Sequence, residues 1–191
     1  MILGLLVRKN KKVLKQEANV TLEKIDYLKK VLRGKYGWEL WAKVYRRELF
    51  DEPMYIPCHL RIGEDATVYM QLVARSCKVK IINEALYNYI QYPSSASHQR
   101  SVTLAEETLQ AAFYIDHLLK KESFYQEIRD EIDAMYLLFY SNSTRKAFLR
   151  LNHPLIYQVY QEHYSLRALK ILPLFKSIYI SLSLLLRKTL S

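Results

Sequence analysis

Apolar positions along the chain follow several patterns in turn. Residues 1–7, "MILGLLV", are continuously apolar and lead into the basic "RKNKKVLK", which reads as a short buried strand or the start of a helix. In 21–34, Leu22, Ile25, Leu28 and Leu32 recur at helical spacing, with Thr21 as N-cap and Gly34 as stop. Lys24 stands where a capping box would place Glu. Residues 36–57 begin as a helix with Leu40, Val44 and Tyr45 turned inward, and end before Pro53. Residues 64–77 form a clearer helix: Val68, Met70, Leu72 and Val73 pack, and Glu64 and Asp65 occupy the first turn, where the helix dipole favours acids. Residues 78–90 alternate and are rich in β-formers, giving one or two short strands. Residues 92–99, "YPSSASHQ", are a turn or loop.

From Val102 onward the pattern is helical, with an antiparallel set over 103–122, 124–143 and 145–164. The remainder is apolar from Ile171 to Leu186 apart from Lys176 and a few serines. Pro173 and Lys176 cut it well short of the roughly 20 apolar residues that a membrane span needs. Flanking Arg167, Lys170, Arg187 and Lys188 suit a helix lying in an anionic interface. The alternative is a terminal helix docked on the protein body. The expected fold class is mixed α and β, predominantly helical, with a short β hairpin and a helical C-terminal extension. The expected divisions are 1–100, 101–165 and 166–191.

Composition sharpens this picture. Only 4 of the 191 residues are Gly, and neither GxGxxG nor GxxxxGK[ST] occurs, which argues against a self-contained nucleotide-binding fold. A net charge of +10 points to an anionic partner. Cys58 and Cys77 are too few for a disulfide framework or zinc site and read as free cytosolic thiols. The histidines, at 59, 98, 117, 153 and 163, have no metal-ligand spacing.

Three blocks in order carry a resemblance. Trp41, Lys43, Tyr45, Arg46, Arg47 and Phe50 come first, then Glu64 and Asp65 after a proline-containing loop, then Tyr87, Tyr89, Ser95 and Ser97. Residues 38–97 thereby resemble the C-terminal half of bacterial family-two inverting glycosyltransferases of the A-type fold, which build capsular and other surface polysaccharides. The resemblance implies that Asp65 is the general base that deprotonates an acceptor hydroxyl, with Glu64 beside it or positioning the acceptor. It offers Trp41 as a flat face for a sugar ring, and Lys43, Arg46 and Arg47 as partners for phosphate. His98, just past the serine turn, is a further contact for phosphate or acceptor. Each has a plainer reading: helix capping for the acids, core packing for Trp41, a solvated helix face for the basic residues, a solvated loop for His98.

The chain also departs from that family, whose preceding strand–helix–strand half ends in a D-x-D that holds a divalent metal such as Mg or Mn against the donor diphosphate. No D-x-D occurs here; Asp130 and Asp133 are three apart in an ordinary helix pattern. The expectation is therefore an acceptor-side half without the donor-binding half, using no cofactor of its own and inactive alone. Its partners would be a nucleotide-sugar donor and a glycan or lipid-linked acceptor once completed. It would sit in the cytoplasm, peripheral to the inner face of the cell membrane. The alternative is a non-enzymatic basic helical module binding nucleic acid or an anionic membrane surface. No nucleic-acid motif is present and the basic residues are spread along the chain, so nucleic acid is not the expected partner.

Overall fold

The computed structural model describes residues 2–3, 6–8, 19–82, 84, 86–89, 101–146 and 153–190. Strands β1 (Ile2–Leu3), β2 (Leu6–Arg8) and β3 (Val20–Glu23) precede helix α1 (Lys24–Leu32). Then follow β4 (Lys43–Val44), a 3-10 turn (Arg47–Phe50), α2 (Glu64–Arg75), β5 (Lys78–Ile81) and β6 (Tyr87–Tyr89). Helices α3 (Val102–Leu119), α4 (Arg129–Lys146), α5 (Pro154–His163), α6 (Leu166–Ile171) and α7 (Leu174–Leu190) complete the chain. The fold is mixed α and β and mostly helical, as expected.

The four-stranded sheet has the order β3-β5-β1-β4, so the apolar start is a strand, as one of its two readings had it, and an interior one, parallel to β5 and antiparallel to β4. The strand arrangement corrects two other sequence expectations. The hairpin over 78–90 does not form. β5 pairs with β3 and β1, whereas β6 pairs in parallel with β2 in a second sheet. Thr21 lies inside β3 opposite Lys80, so α1 begins only after Glu23, with the Lys24 amide bonded to the Cys77 carbonyl at 3.0 Å. In each case long-range pairing overrides a local periodicity that strand and helix share over four or five residues.

Residues 36–57 likewise form no α-helix; their one helical element is the 3-10 turn at Arg47–Phe50. Gly34 (φ 71°) and Ala42 (φ 58°) take left-handed turns, and residues 43–44 join the sheet with Val44 exposed. Trp38 instead stacks on Phe139 of α4 at 4.7 Å, and Tyr36 stacks on Tyr27 at 5.2 Å.

Helix α4 organises the helical part. Residues 131–141 are buried on every side, the mark of a helix enclosed by others; α1, α3, α5, α6 and α7 all pack on it. One cluster of buried side chains runs from Tyr27 to Ile180. Its acids are paired, as buried charge requires. Asp133 meets His163 at 2.9 Å and Arg129 at 3.2 Å, and Asp116 accepts from Tyr125 at 2.7 Å and Tyr136 at 3.1 Å. Burial and the Asp116 carboxylate push the Tyr125 phenol up to about 12. The expected helix over 145–164 is seen from Pro154 as α5, while residues 147–152 lie outside the described residues.

Candidate functional site

The acidic pair sits where the sequence puts it, at the start of α2, and its setting is built by Gly63. This residue caps α2 with φ 102°, a left-handed geometry that side chains with a Cβ rarely adopt. A Cβ here would lie 2.3 Å from the Cβ of Ala111 on α3, so glycine lets the α2 N-terminus close onto α3. Arg61 secures the junction. Its amide donates to the Glu107 carboxylate at 2.9 Å, and its guanidinium donates to the same carboxylate at 3.2 Å.

The two acids differ in environment. Glu64 has one carboxylate oxygen buried with no hydrogen-bond partner, and desolvation, then the nearby Asp65 and Glu107 charges, holds its carboxyl above the usual range against a backbone amide that lowers it. Asp65 acts instead on the opposite group of side chains: its charge bears on Lys43 and Tyr45. Two neighbouring carboxylates in unlike environments are the kind of pair that acid–base sites use.

Lys43 is the least expected member. Its side chain is only 3% exposed, so it is not the phosphate-facing cation of a solvated face. It donates to the Glu39 carbonyl and lies over the Tyr69 ring, 4.7 Å from the centroid. Burial lowers its ammonium to about 8, against the opposing pull of Glu39 and Asp65. Tyr69 in turn shares a 2.5 Å hydrogen bond with Tyr27, and burial raises both phenols. Lys43, Tyr27, Tyr45 and Tyr69 thus form a partly buried polar cluster, and the Asp65 charge reaches Lys43 and Tyr45 within it.

The remaining sequence candidates divide. Arg46 and Arg47 are exposed around the 3-10 turn, on no helix face. Trp41 is half-buried and stacks on Tyr87 at 5.5 Å and 13°, so residues from the first and third blocks meet. His98, Ser95 and Ser97 lie outside the described residues, as does the side chain of Tyr89. Cys58 and Cys77 are exposed free thiols.

Sequence reasoning missed how α2 holds the proline-containing loop. Arg75 donates to the carbonyls of Leu49, Glu52 and Pro53 at 2.8–3.0 Å, and Gln71 bonds both the amide and the carbonyl of Tyr55 at 2.9 and 2.8 Å. Gln71 and Arg75, four apart among the apolar residues that follow the acidic first turn of α2, were the available signal. A D-x-D metal has no fitting donors here: the sequence lacks the motif, and among the described residues no three His, Cys, Asp or Glu side chains converge.

Over 101 residues, 51% of the chain, the sequence is 29% identical to a Bacillus subtilis (strain 168) protein named "Uncharacterized glycosyltransferase EpsJ". The chain is glycosyltransferase-like over that stretch. The match covers 29% of the relative's own length. No family model matches, and no solved structure matches.

Proposed function

We propose that the chain is the acceptor-side part of a family-two inverting glycosyltransferase of surface polysaccharide synthesis, with Asp65 as general base. The observation that carries this reading is the junction at Gly63, which sets two unlike carboxylates side by side at a helix mouth, one desolvated and one next to a buried cation. In the proposed step the acceptor hydroxyl oxygen attacks the anomeric carbon, the bond to the donor diphosphate breaks, and the hydroxyl proton passes to Asp65. Lys43 sets a buried cation within reach of the Asp65 charge, and Glu64 positions the acceptor. Trp41, stacked on Tyr87, is the aromatic candidate for contact with a sugar ring, and Arg46 and Arg47 are exposed to meet phosphate from solvent. Binding of the nucleotide-sugar diphosphate and its metal falls to a strand–helix–strand half with D-x-D outside these 191 residues.

The test has two arms. The 191-residue chain alone, given nucleotide-sugars with Mg or Mn, is expected to release no nucleoside diphosphate; turnover would overturn the division of labour. Coding sequence ahead of Met1 is expected to supply the other half. In the completed protein Asp65→Asn should lower kcat by about 100-fold or more. An unchanged rate removes Asp65 from the mechanism.

We also propose that the acceptor is met at an anionic lipid surface. Among the described residues no helix is long and apolar enough to cross a membrane, yet α7 exposes Leu174, Phe175, Ile178 and Leu182 along one stripe while burying Ile180 and Ser183. From 165 to 191 the sequence has five basic residues and no acid, which complements a negatively charged leaflet. In co-flotation, phosphatidylglycerol vesicles should retain the chain, and the double variant Leu174→Ser, Phe175→Ser should weaken retention more than about tenfold. Equal binding to neutral vesicles, or none to either, overturns the docking.

A further inference from the structure

A second concavity lies along α3, away from the acidic pair. It encloses about 780 Å³ between the loop around Tyr55 and His59 and the outer face of α3, within the size range of small-molecule sites, about 300–1,000 Å³. Its walls are held by contacts across the gap. Tyr55 and Tyr114 pack with ring centroids 5.6 Å apart, and the Tyr114 hydroxyl lies 3.1 Å from His59 Nε2. Gln71 pins the Tyr55 backbone from α2. Phe113 is fixed edge-on against Tyr136 at 5.2 Å. The polar lining is one-sided: Gln110 supplies an amide, His59, His117 and Lys121 supply nitrogen donors, and among the described residues no carboxylate lines the space.

Ring faces held in place by packing suit the apolar C–H face of a sugar. Lysine and imidazole donors without a competing acid suit a phosphate or carboxylate. We propose that this groove binds an acidic saccharide, a sugar unit carrying a phosphate or carboxylate group, with Tyr55 and Tyr114 against the ring and Lys121 at the acid. On the reading of the acidic pair given above, this ligand is the acceptor. The groove lies along the helix that the pair packs on. Tyr114 is seven residues beyond Glu107, about 10 Å along the helix, and the chain runs directly from His59 at the groove to Gly63 and the pair.

Titration calorimetry on the full 191-residue chain tests this with glucose 1-phosphate, glucuronic acid, glucose and inorganic phosphate. Saturable binding of glucose 1-phosphate or glucuronic acid, tighter than glucose or phosphate, is expected, and the tighter of the two acids identifies the acidic group. Tyr55→Ala and Lys121→Ala, both at exposed positions, should each weaken it about tenfold. No saturable binding, or binding that neither variant changes, overturns the site, as does phosphate binding as tightly as the sugar acids with Tyr55→Ala neutral. No donor is needed for this measurement, so it is separable from the transferase reading. Binding by a completed protein that transfers nothing to that sugar leaves the groove and removes its role as acceptor site.

Discussion

Gly63→Ala should lower the free energy of unfolding by about 2–5 kcal/mol, the largest effect expected of any single substitution near the acidic pair. Two costs combine. An alanine at φ 102° occupies left-handed backbone, worth about 1–2 kcal/mol. Its Cβ would also meet the Ala111 Cβ at 2.3 Å, and overpacking of this kind costs about 1–3 kcal/mol. Urea unfolding followed by circular dichroism measures the sum. The second variant, Ala111→Gly, separates the two: with Gly63→Ala it should return the steric share and leave the conformational share. A loss below about 1 kcal/mol for Gly63→Ala alone would mean that α2 does not close on α3 as described.

Lys43→Met is expected to act in the opposite direction. A lysine lowered to about 8 is less easily charged when folded than when unfolded, and a depression of this size corresponds to about 3 kcal/mol. The sign follows from proton binding. Below pH 8 both states carry the proton and the folded protein bears the full cost. Between pH 8 and the ordinary lysine value the unfolded chain still binds the proton while the folded one has released it, so stability rises with pH. Methionine, of similar length and uncharged, should therefore stabilise the protein at pH 7 by up to about 3 kcal/mol, less what is lost with the Tyr69 and Glu39 contacts. The advantage over the parent protein should shrink steadily toward pH 10. Taking the difference between the two proteins cancels the tyrosines, which titrate in both. A variant less stable than the parent at every pH would make Lys43 a structural strut. The expected gain instead marks a buried cation kept for what it does to Asp65.

The legible parts of the sequence were those decided by local chemistry. Helix α2 was readable because four apolar residues, acids in its first turn and a glycine ahead of it all agree over twelve residues. Helix α3 was readable from apolar residues sustained over eighteen positions, and Ser101 caps it by accepting from the Leu104 amide at 3.1 Å. The short elements were not legible. Nothing within 21–23 or 43–44 distinguishes a strand from a helical turn; β5 and β1, far off in sequence, decided both by supplying backbone partners.

The candidate site divides along the same line. Sequence alone shows that Glu64 and Asp65 open a helix behind a glycine, that neither a glycine-rich phosphate motif nor D-x-D is present, and that the tail is basic and apolar. What those residues face is set by the tertiary structure. It buried Lys43 against Tyr69, stacked Trp41 on Tyr87, desolvated Glu64 next to Glu107, and set loop and helix around the aromatic groove. The physical reason is that charge and periodicity are properties of a segment, whereas desolvation and convergence belong to the space between segments brought together by the core.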